Sequence, residues 1–447
     1  MTSLESTLQS ISDWVWGPPL LILLFGTHLF LTFRLRFIQR YLPQAIRLSL
    51  SREKEGAGDV SQFGALTTAL AATIGTGNIV GVATAVSLGG PGAVLWMWLT
   101  GVFGIATKYA EAVLAVKYRV VTKDGTMAGG PMYALERGLN AKWLGVIFAA
   151  FTAIAAFGIG CMTQANSIST LAKESLGVDP WITGVVMTVL TAIVILGGIK
   201  SIAAVCEKLV PFMAVFYVLG CAILLLLHFD RIPDTVMTIV TSAFAGQAAV
   251  GGFVGAGISQ AIRYGIARGL FSNESGLGSA PIVAAAAQTR NPVRQALVSS
   301  TGTFWDTVVV CAITGLVIVN SGEWKNGLGG AALTHRAFEE IPVIGGVILT
   351  VGLLTFVFST ILGWSYYGEK AAEYLFGTKV IRPYRVLWVI AVMVGSVQPI
   401  AVVWTFSDIA NGLMAVPNLI ALLGLSGVVV KETQEYLWSG NLDKAGS

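Results

Sequence analysis

The sequence predicts an all-α polytopic membrane protein. About eleven transmembrane helices are expected, arranged as one N-terminal extra helix and two inverted five-helix repeats with two broken helices. Three observations carry this reading. Of the 447 residues, 55% are hydrophobic and only 12% charged, with a mean hydropathy of +0.74, whereas a soluble domain carries about 25% charged residues. Too few polar side chains remain to cover a water-soluble globule, which sets aside a soluble enzyme, a nucleic-acid binder and a disordered scaffold. About eleven apolar runs reach the roughly 20 residues needed to cross a hydrocarbon core. Glycine, at 52 residues, interrupts two of these runs at corresponding places.

The first span is expected over 14–33. It follows an acidic N-terminus, with no basic leader and no small-residue cleavage site, so it reads as a retained helix. Arg34, Arg36, Arg40, Arg47, Arg52 and Lys54 follow at once and place this side in the cytoplasm, leaving the N-terminus outside. Ten further spans are expected at 61–88, 92–118, 143–171, 181–199, 209–228, 235–265, 296–320, 343–368, 384–401 and 404–430, and the C-terminus is cytoplasmic. On this path only Lys173, Arg231, Lys325 and Arg336 fall outside, leaving 24 of the 28 basic residues on or near the cytoplasmic side. The pI of 8.8 is thus an orientation signal. The segments 34–59, 118–142 and 263–294 read as cytoplasmic, and 321–341 as an outer loop with room for a surface helix or lid. The divisions are 1–60 (extra helix and connector), 61–230 (first repeat), 231–430 (second, inverted repeat) and 431–447 (cytoplasmic tail).

Residues that break helices carry the chemistry. The first helix of the first half contains Thr73-Ile74-Gly75-Thr76-Gly77-Asn78, and the first helix of the second half contains Gly251-Gly252-Phe253. Five spans per half give the halves opposite orientations, and paired glycine interruptions point to a transporter's central site. An unwound helix presents free N–H groups and a positive dipole end to an anion, and free carbonyls to a cation. Gly75 and Gly77 let a carboxylate approach the backbone of residues 75–78, so a small zwitterion is the expected ligand. Close helix packing through small residues is the competing account. The spacing GxGxxxG, with no surrounding βαβ unit, is not a dinucleotide fingerprint.

A second group lies in the span 343–368, where Ser359 and Thr360 follow Phe356. Two adjacent hydroxyls in an apolar helix supply hard oxygen ligands of the kind sodium takes, unless each only back-bonds to the preceding turn. Trp364 shares the Thr360 face and would wall the pocket. Gln164, in an apolar stretch with Thr163, Asn166 and Ser167, is a candidate ligand-binding side chain or an interhelical bond. Asp306 is an intramembrane carboxylate and a functional suspect by default. Cys161, Cys206, Cys221 and Cys311 show no CxxC spacing, and His28, His228 and His335 are dispersed, so neither a disulfide framework nor a zinc site is expected.

At these residues the chain resembles the sodium:alanine symporter family, also called the alanine or glycine:cation symporter family. The segment 89–104, GGPGAVLWMWLTGVFG, is similar to that family's signature and departs from it at Leu95 and Gly101. The segments 129–133 (GGPMY), 267–281 (ARGLFSNESGLGSAP) and 411–418 (NGLMAVPN) also resemble it. The resemblance implies a leucine-transporter-like fold with alternating access. It implies that Gly75, Thr76, Gly77 and Asn78 bind a substrate carboxylate, and that Ala71, Ile74, Phe356, Ser359 and Thr360 hold sodium. Gly251, Gly252 and Phe253 would lie near the amino group and side chain. Alanine and glycine are the substrates it implies, with sodium co-transported.

The expectation is therefore a sodium-driven importer of alanine or glycine in the cell membrane, working as a monomer in the lipid bilayer with no nucleic-acid partner. A proton-coupled transporter of the same architecture, with Asp306 as carrier, is the nearest rival, although no lysine lies mid-span in 209–228 to replace a sodium ion. An intramembrane hydrolase lacks GxSxG and a paired intramembrane carboxylate. A channel is separated by saturable, counterflow-capable uptake.

Overall fold

The computed structural model describes residues 3–51, 56–245, 257–340 and 344–445. The chain opens with α1 (Ser3–Val15) and α2 (Pro18–Arg34). Pro18 and Pro19 cannot donate into a helix continuing from α1, so the chain turns at Trp16 and Gly17 and most of the expected span 14–33 is carried by α2, within one apolar span Leu4–Arg34. Then come α3 (Leu42–Ser49), α4 (Gln62–Thr73), a π-helical stretch Gly77–Gly81 leading into α5 (Val82–Gly89), and α6 (Ala93–Lys117). A short hairpin, β1 (Val120–Val121) with β2 (Met127–Ala128), precedes α7 (Pro131–Gly138) and α8 (Lys142–Ala155). A π-helical stretch Ala156–Met162 joins α8 to α9 (Thr163–Leu176), followed by α10 (Pro180–Ile195) and α11 (Gly198–Leu227).

The second half contains α12 (Ile232–Ala245), α13 (Ile258–Asn273), α14 (Pro281–Ala284) and α15 (Pro292–Thr303). A π-helical stretch Phe304–Cys311 joins α15 to α16 (Ala312–Ser321), and α17 (Gly330–Glu339) lies in the predicted outer loop. The chain closes with α18 (Ile344–Phe376), α19 (Ile381–Val397), α20 (Ala401–Gly424) and α21 (Ser426–Thr433). Among the described residues eight helical spans are long and apolar enough to cross a membrane, nine if the bent pair α4 and α5 is one span, and α10 is apolar but shorter. The protein is a multi-pass, all-α membrane protein.

The two ends of the bundle differ chemically. At one end Ser61 caps α4 by accepting from Gly64 N at 2.8 Å and donates to Glu207 Oε1 at 2.8 Å. Arg119 donates there to the carbonyls of Ala57, Ala285 and Ala287, while Arg385 grips Glu369 and Lys117 meets Glu432. At the other end α17 packs against α5, and Glu340 sits 3.7 Å from His228 and 3.8 Å from Arg231.

The second half contains an interruption that the sequence reading did not place. The predicted broken span 235–265, centred on Gly251, Gly252 and Phe253, lies partly on 246–256, outside the described residues. The described interruption is further along. Helix α13 runs from beside Gly89, whose Cβ position is 3.1 Å from Gln260 O, towards the bundle centre, and stops at Asn273. Glu274, Gly276 and Gly278 all have positive φ (56°, 89° and 90°), and α14 begins only at Pro281. Ser272, Asn273, Glu274, Ser275 and Ser279 are all buried, so 263–294 is not one cytoplasmic loop. Arg263 and Arg268, counted above with the cytoplasmic side, lie towards the opposite end, near Asp408 and Trp16.

The unpaired backbone of this break is satisfied by side chains from three helices, as membrane depth requires. Gly276 N donates to Glu111 Oε1 at 3.0 Å, Asn418 Nδ2 donates to Gly276 O at 2.9 Å and to Glu111 Oε1 at 2.8 Å, and Ser275 N donates to Asn273 Oδ1 at 2.9 Å. Beyond α14 the chain pairs with the connector before α4, Asp59 N donating to Ala286 O at 2.7 Å and Gln288 N to Val60 O at 2.7 Å. The two interrupted helices are therefore tied together at one end and face each other at their breaks.

Candidate functional site

The helical run of α4 ends at Thr73, and the axis turns by 55° before the chain resumes at Gly77. Gly75 is required here because a Cβ would come within 2.6 Å of Thr360 Oγ1. The break frees the last carbonyls of α4 on one side and the first amides of the following half-helix on the other. A small cavity opens at this point. It is lined by Ala72, Thr73, Gly75, Thr76, Gly77, Ile159, Gln164, Phe271, Ser272, Glu274, Thr360, Trp364 and Asn411, so both breaks contribute to it.

On one wall are Thr76 and Gly77, at the start of a helical segment where N–H groups lack intrahelical partners. The Gly75 amide is already taken, donating to Asn78 Oδ1 at 2.8 Å. Asn78 does not line the cavity. It stands behind the break, fully buried, and donates to Asp306 Oδ1 at 2.7 Å. Asp306 also accepts from Ser272 Oγ at 3.0 Å and Thr307 Oγ1 at 2.7 Å, so this carboxylate clamps both breaks to the π-helical stretch in which it lies. Such stretches recur at functional sites because they re-aim side chains within a continuous helix.

Acceptors also line the cavity. Gln164 Nε2 donates to Ile159 O at 3.0 Å, while Gln164 Oε1 and Asn411 Oδ1 are buried with no partner among the described residues. A buried acceptor without a partner carries a desolvation cost of about 1–3 kcal/mol, which a ligand donor would remove. The Glu274 carboxylate lines the cavity too, accepting from Ser279 Oγ at 2.5 Å. Trp364, 2% exposed, closes the cavity by lying over Gly160, where a Cβ would come within 2.3 Å of its own Cβ.

Beside the cavity five oxygens converge between α4 and α18. Ser359 Oγ is 3.2 Å from Ala71 O and 2.8 Å from Phe356 O, and Thr360 Oγ1 is 3.4 Å from Ile74 O and 2.9 Å from Phe356 O. Both accounts of the hydroxyl pair thus coexist: each back-bonds within α18 and each also reaches a freed carbonyl of α4. The cluster is buried and all-oxygen, a donor set suited to a hard monovalent cation and not to a softer transition metal. Among the described residues no group of three or more His, Cys, Asp or Glu side chains is placed to hold a metal. Thr360 belongs to both the cavity and the cluster.

The structure thus gathers Thr73, Gly75, Thr76, Gly77, Gln164 and Trp364 around one cavity and Ala71, Ile74, Phe356, Ser359 and Thr360 into one oxygen cluster, with Asn78 behind them. Gly251, Gly252 and Phe253 lie outside the described residues. Phe271, Ser272, Glu274 and Asn411 also line the cavity and received no role in the sequence reading. Phe271, Ser272 and Glu274 lie in or beside the polar run Ser272-Asn273-Glu274-Ser275, followed by Gly276 and Gly278, which hydropathy reads as a loop.

The family model described as "Sodium:alanine symporter family" matches residues 1–445. The sodium/alanine symporter AgcS of Methanococcus maripaludis is 54% identical over 442 residues, 96% of this chain and 97% of that one. An uncharacterized transporter of Haemophilus influenzae is 53% identical over 439 residues, 97% of this chain and 96% of its own. In structure the chain is similar to MhsT in complex with L-phenylalanine, with a TM-score of 0.54 at 13% identity, covering 85% of this chain and 98% of that one. At that identity the likeness shows the fold alone.

Proposed function

The chain belongs to the sodium:alanine symporter family, and from that premise we propose that the cavity between its two helix breaks is where alanine binds beside sodium. It is a sodium-coupled alanine symporter and not an enzyme. The observation that carries the site assignment is the meeting, in one buried cavity, of helix-start amides with acceptor oxygens that have no partner among the described residues. Thr76 and Gly77 receive the substrate carboxylate. Gln164 Oε1, Asn411 Oδ1 and the Glu274 carboxylate receive the ammonium, and the methyl group faces Trp364 and Phe271. Glycine fits the same contacts with one methyl fewer, so we assign it as a second substrate.

Sodium occupies the oxygens of Ala71, Ile74, Phe356, Ser359 and Thr360. The ion draws carbonyls freed at the α4 break towards hydroxyls of α18, and Thr360 also faces the substrate, so each ligand improves the site of the other. Such reciprocity is the thermodynamic content of coupling. Alternating access follows if sodium and alanine together favour the closed arrangement, through contacts that each open state lacks. We place the Arg/Lys-rich end at the cytoplasm and the N-terminus outside by the positive-inside rule, and read the repeats as 61–230 and 231–430, with 1–60 and 431–447 as additions. The protein works as a monomer in the lipid bilayer of the cell membrane.

Alanine uptake into proteoliposomes, with sodium or choline outside and with glycine, D-alanine and larger amino acids as competitors, tests this reading. Sodium-dependent uptake, competed by glycine and not by large side chains, is the expected result. Uptake that proceeds equally in choline under a proton gradient would favour proton coupling instead.

A further inference from the structure

A buried lysine stands beside the path between the central cavity and the Arg/Lys-rich end. Lys108 lies in α6, is 4% exposed, and its Nζ has no hydrogen-bond partner among the described residues. It interacts through space with Glu111, Glu274 and Asp306; Glu111 Oε1 is engaged by Gly276 and Asn418 while Glu111 Oε2, one turn along α6, has no hydrogen-bond partner among the described residues, and Asp306 is engaged by Asn78, Ser272 and Thr307. An ammonium at membrane depth without a direct partner is costly and by default functional.

Lys108 also lines a second cavity, with Thr73, Asn273, Ala280, Ala65 and Ser299. This cavity shares Thr73 with the central one and continues between α4, α14 and α15 towards the pairing of residues 59–60 with 286–288. It has room for about one water molecule in this arrangement, so an amino acid passes only when α4 and α14 part. Next to the central cavity on this side, the nearest cationic side chain that lines the path is Lys108.

We propose that Lys108 forms a carboxylate-binding subsite on the inner route, which takes the amino acid's carboxylate as it leaves Thr76 and Gly77. The ammonium offers three donors and a point charge, and the adjoining carboxylates Glu111 and Glu274 repel the anion enough to keep the stop brief. Holding the carboxylate only while the route is open lowers the barrier to release without deepening the central site, which is differential binding applied to a transport step. The same chemistry would suit chloride, so the test separates the two sources.

The inference rests on the central-cavity reading, and binding is measured apart from turnover so that the two fail separately. In sodium, Lys108→Met is expected to bind alanine within about twofold of the parent, because the central contacts are intact, while its turnover in proteoliposome uptake falls about tenfold. Lys108→Arg is expected to recover most of the rate. Parent turnover in Lys108→Met overturns the proposal. If that variant does not fold, Gly302→Leu decides the matter: a Cβ there meets nothing closer than 3.7 Å, and the longer side chain fills the route. Slowed turnover with unchanged alanine binding supports the subsite path, and unchanged turnover overturns it. Replacing chloride by gluconate is expected to leave the parent unaffected, and a chloride requirement that Lys108→Met abolishes would assign the site to chloride and overturn the carboxylate assignment.

Discussion

Asn78 Nδ2 donates to Asp306 Oδ1 at 2.7 Å while Asn78 Oδ1 accepts the Gly75 amide at 2.8 Å, so one buried side chain staples the first helix break to the helix run α15–α16. Both ends of the staple are satisfied, and Asp306 accepts two further hydroxyls. A network of this kind holds a single geometry when complete and is costly when one member is removed.

Removing the Asn78 side chain leaves the Gly75 amide and one Asp306 contact unmet. At about 1–3 kcal/mol for a buried group left unpaired, Asn78→Ala is expected to raise the KM for alanine by about ten- to a hundredfold. Asp306→Asn keeps the shape but weakens a charge-assisted bond, and a smaller rise is expected. Uptake kinetics at saturating sodium measure both, and two variants with parental KM would show that the staple does not set the site.

In the proposed site the substrate size limit is assigned to Trp364 and its fit over Gly160. Trp364→Leu is expected to admit amino acids larger than alanine, read as new competition in the uptake assay. Gly160→Ala pushes a methyl into Trp364, with Cβ positions 2.3 Å apart, and is expected to lower alanine affinity instead. If Trp364→Leu keeps the parental substrate profile, the wall of the pocket lies elsewhere.

Close approach of α4 and α18 depends on Gly363, where a Cβ would stand 2.7 Å from Ala72 N. Gly363→Ala therefore separates the oxygens of Ala71 and Ile74 from Ser359 and Thr360. Overpacking of this kind costs about 1–3 kcal/mol, visible as a lower melting temperature in detergent and a weaker stabilisation by added sodium. Gly346→Ala, on the same helix with nothing within 4 Å, is the control expected to match the parent.

At the second break, Gly276 adopts φ +89° and a Cβ there would meet Leu24 Cδ2 at 2.7 Å. Both the left-handed backbone and the contact oppose a side chain. Gly276→Ala is expected to lose about 2 kcal/mol or more of stability, seen as reduced yield and melting temperature. A variant as stable as the parent would mean that the break is looser than the hydrogen bonds of Gly276 to Glu111 and Asn418 imply.

What could be read from sequence divides along physical lines. Apolar runs mark spans because the bilayer imposes one length and one polarity, and Gly75-Thr76-Gly77-Asn78 stands out as the polar interruption of such a run. The Ser359 and Thr360 pair is legible for the same reason. The second break is not: Asn273-Glu274-Ser275 interrupts no long apolar run, so hydropathy assigns it to a cytoplasmic loop, and the glycine-dense stretch 250–257 draws attention instead. Only tertiary contacts, with Glu111, Asn418 and Thr303 answering the polar groups of 273–276, reveal a polar segment buried at depth. The staple between Asn78 and Asp306 spans 228 positions and is equally invisible to local pattern. The split of the first span at Pro18 was readable from its proline pair, which a hydropathy window averages away.

The central claim is that the coupling sodium sits among the oxygens of Ala71, Ile74, Phe356, Ser359 and Thr360. Its most direct test is the sodium concentration giving half-maximal alanine uptake in proteoliposomes, compared between the parent and the double variant Ser359→Ala, Thr360→Ala. Loss of two oxygen ligands, at about 1–1.5 kcal/mol each, predicts a half-saturation at least about tenfold higher. An unchanged sodium half-saturation in a variant that still transports alanine would contradict the account.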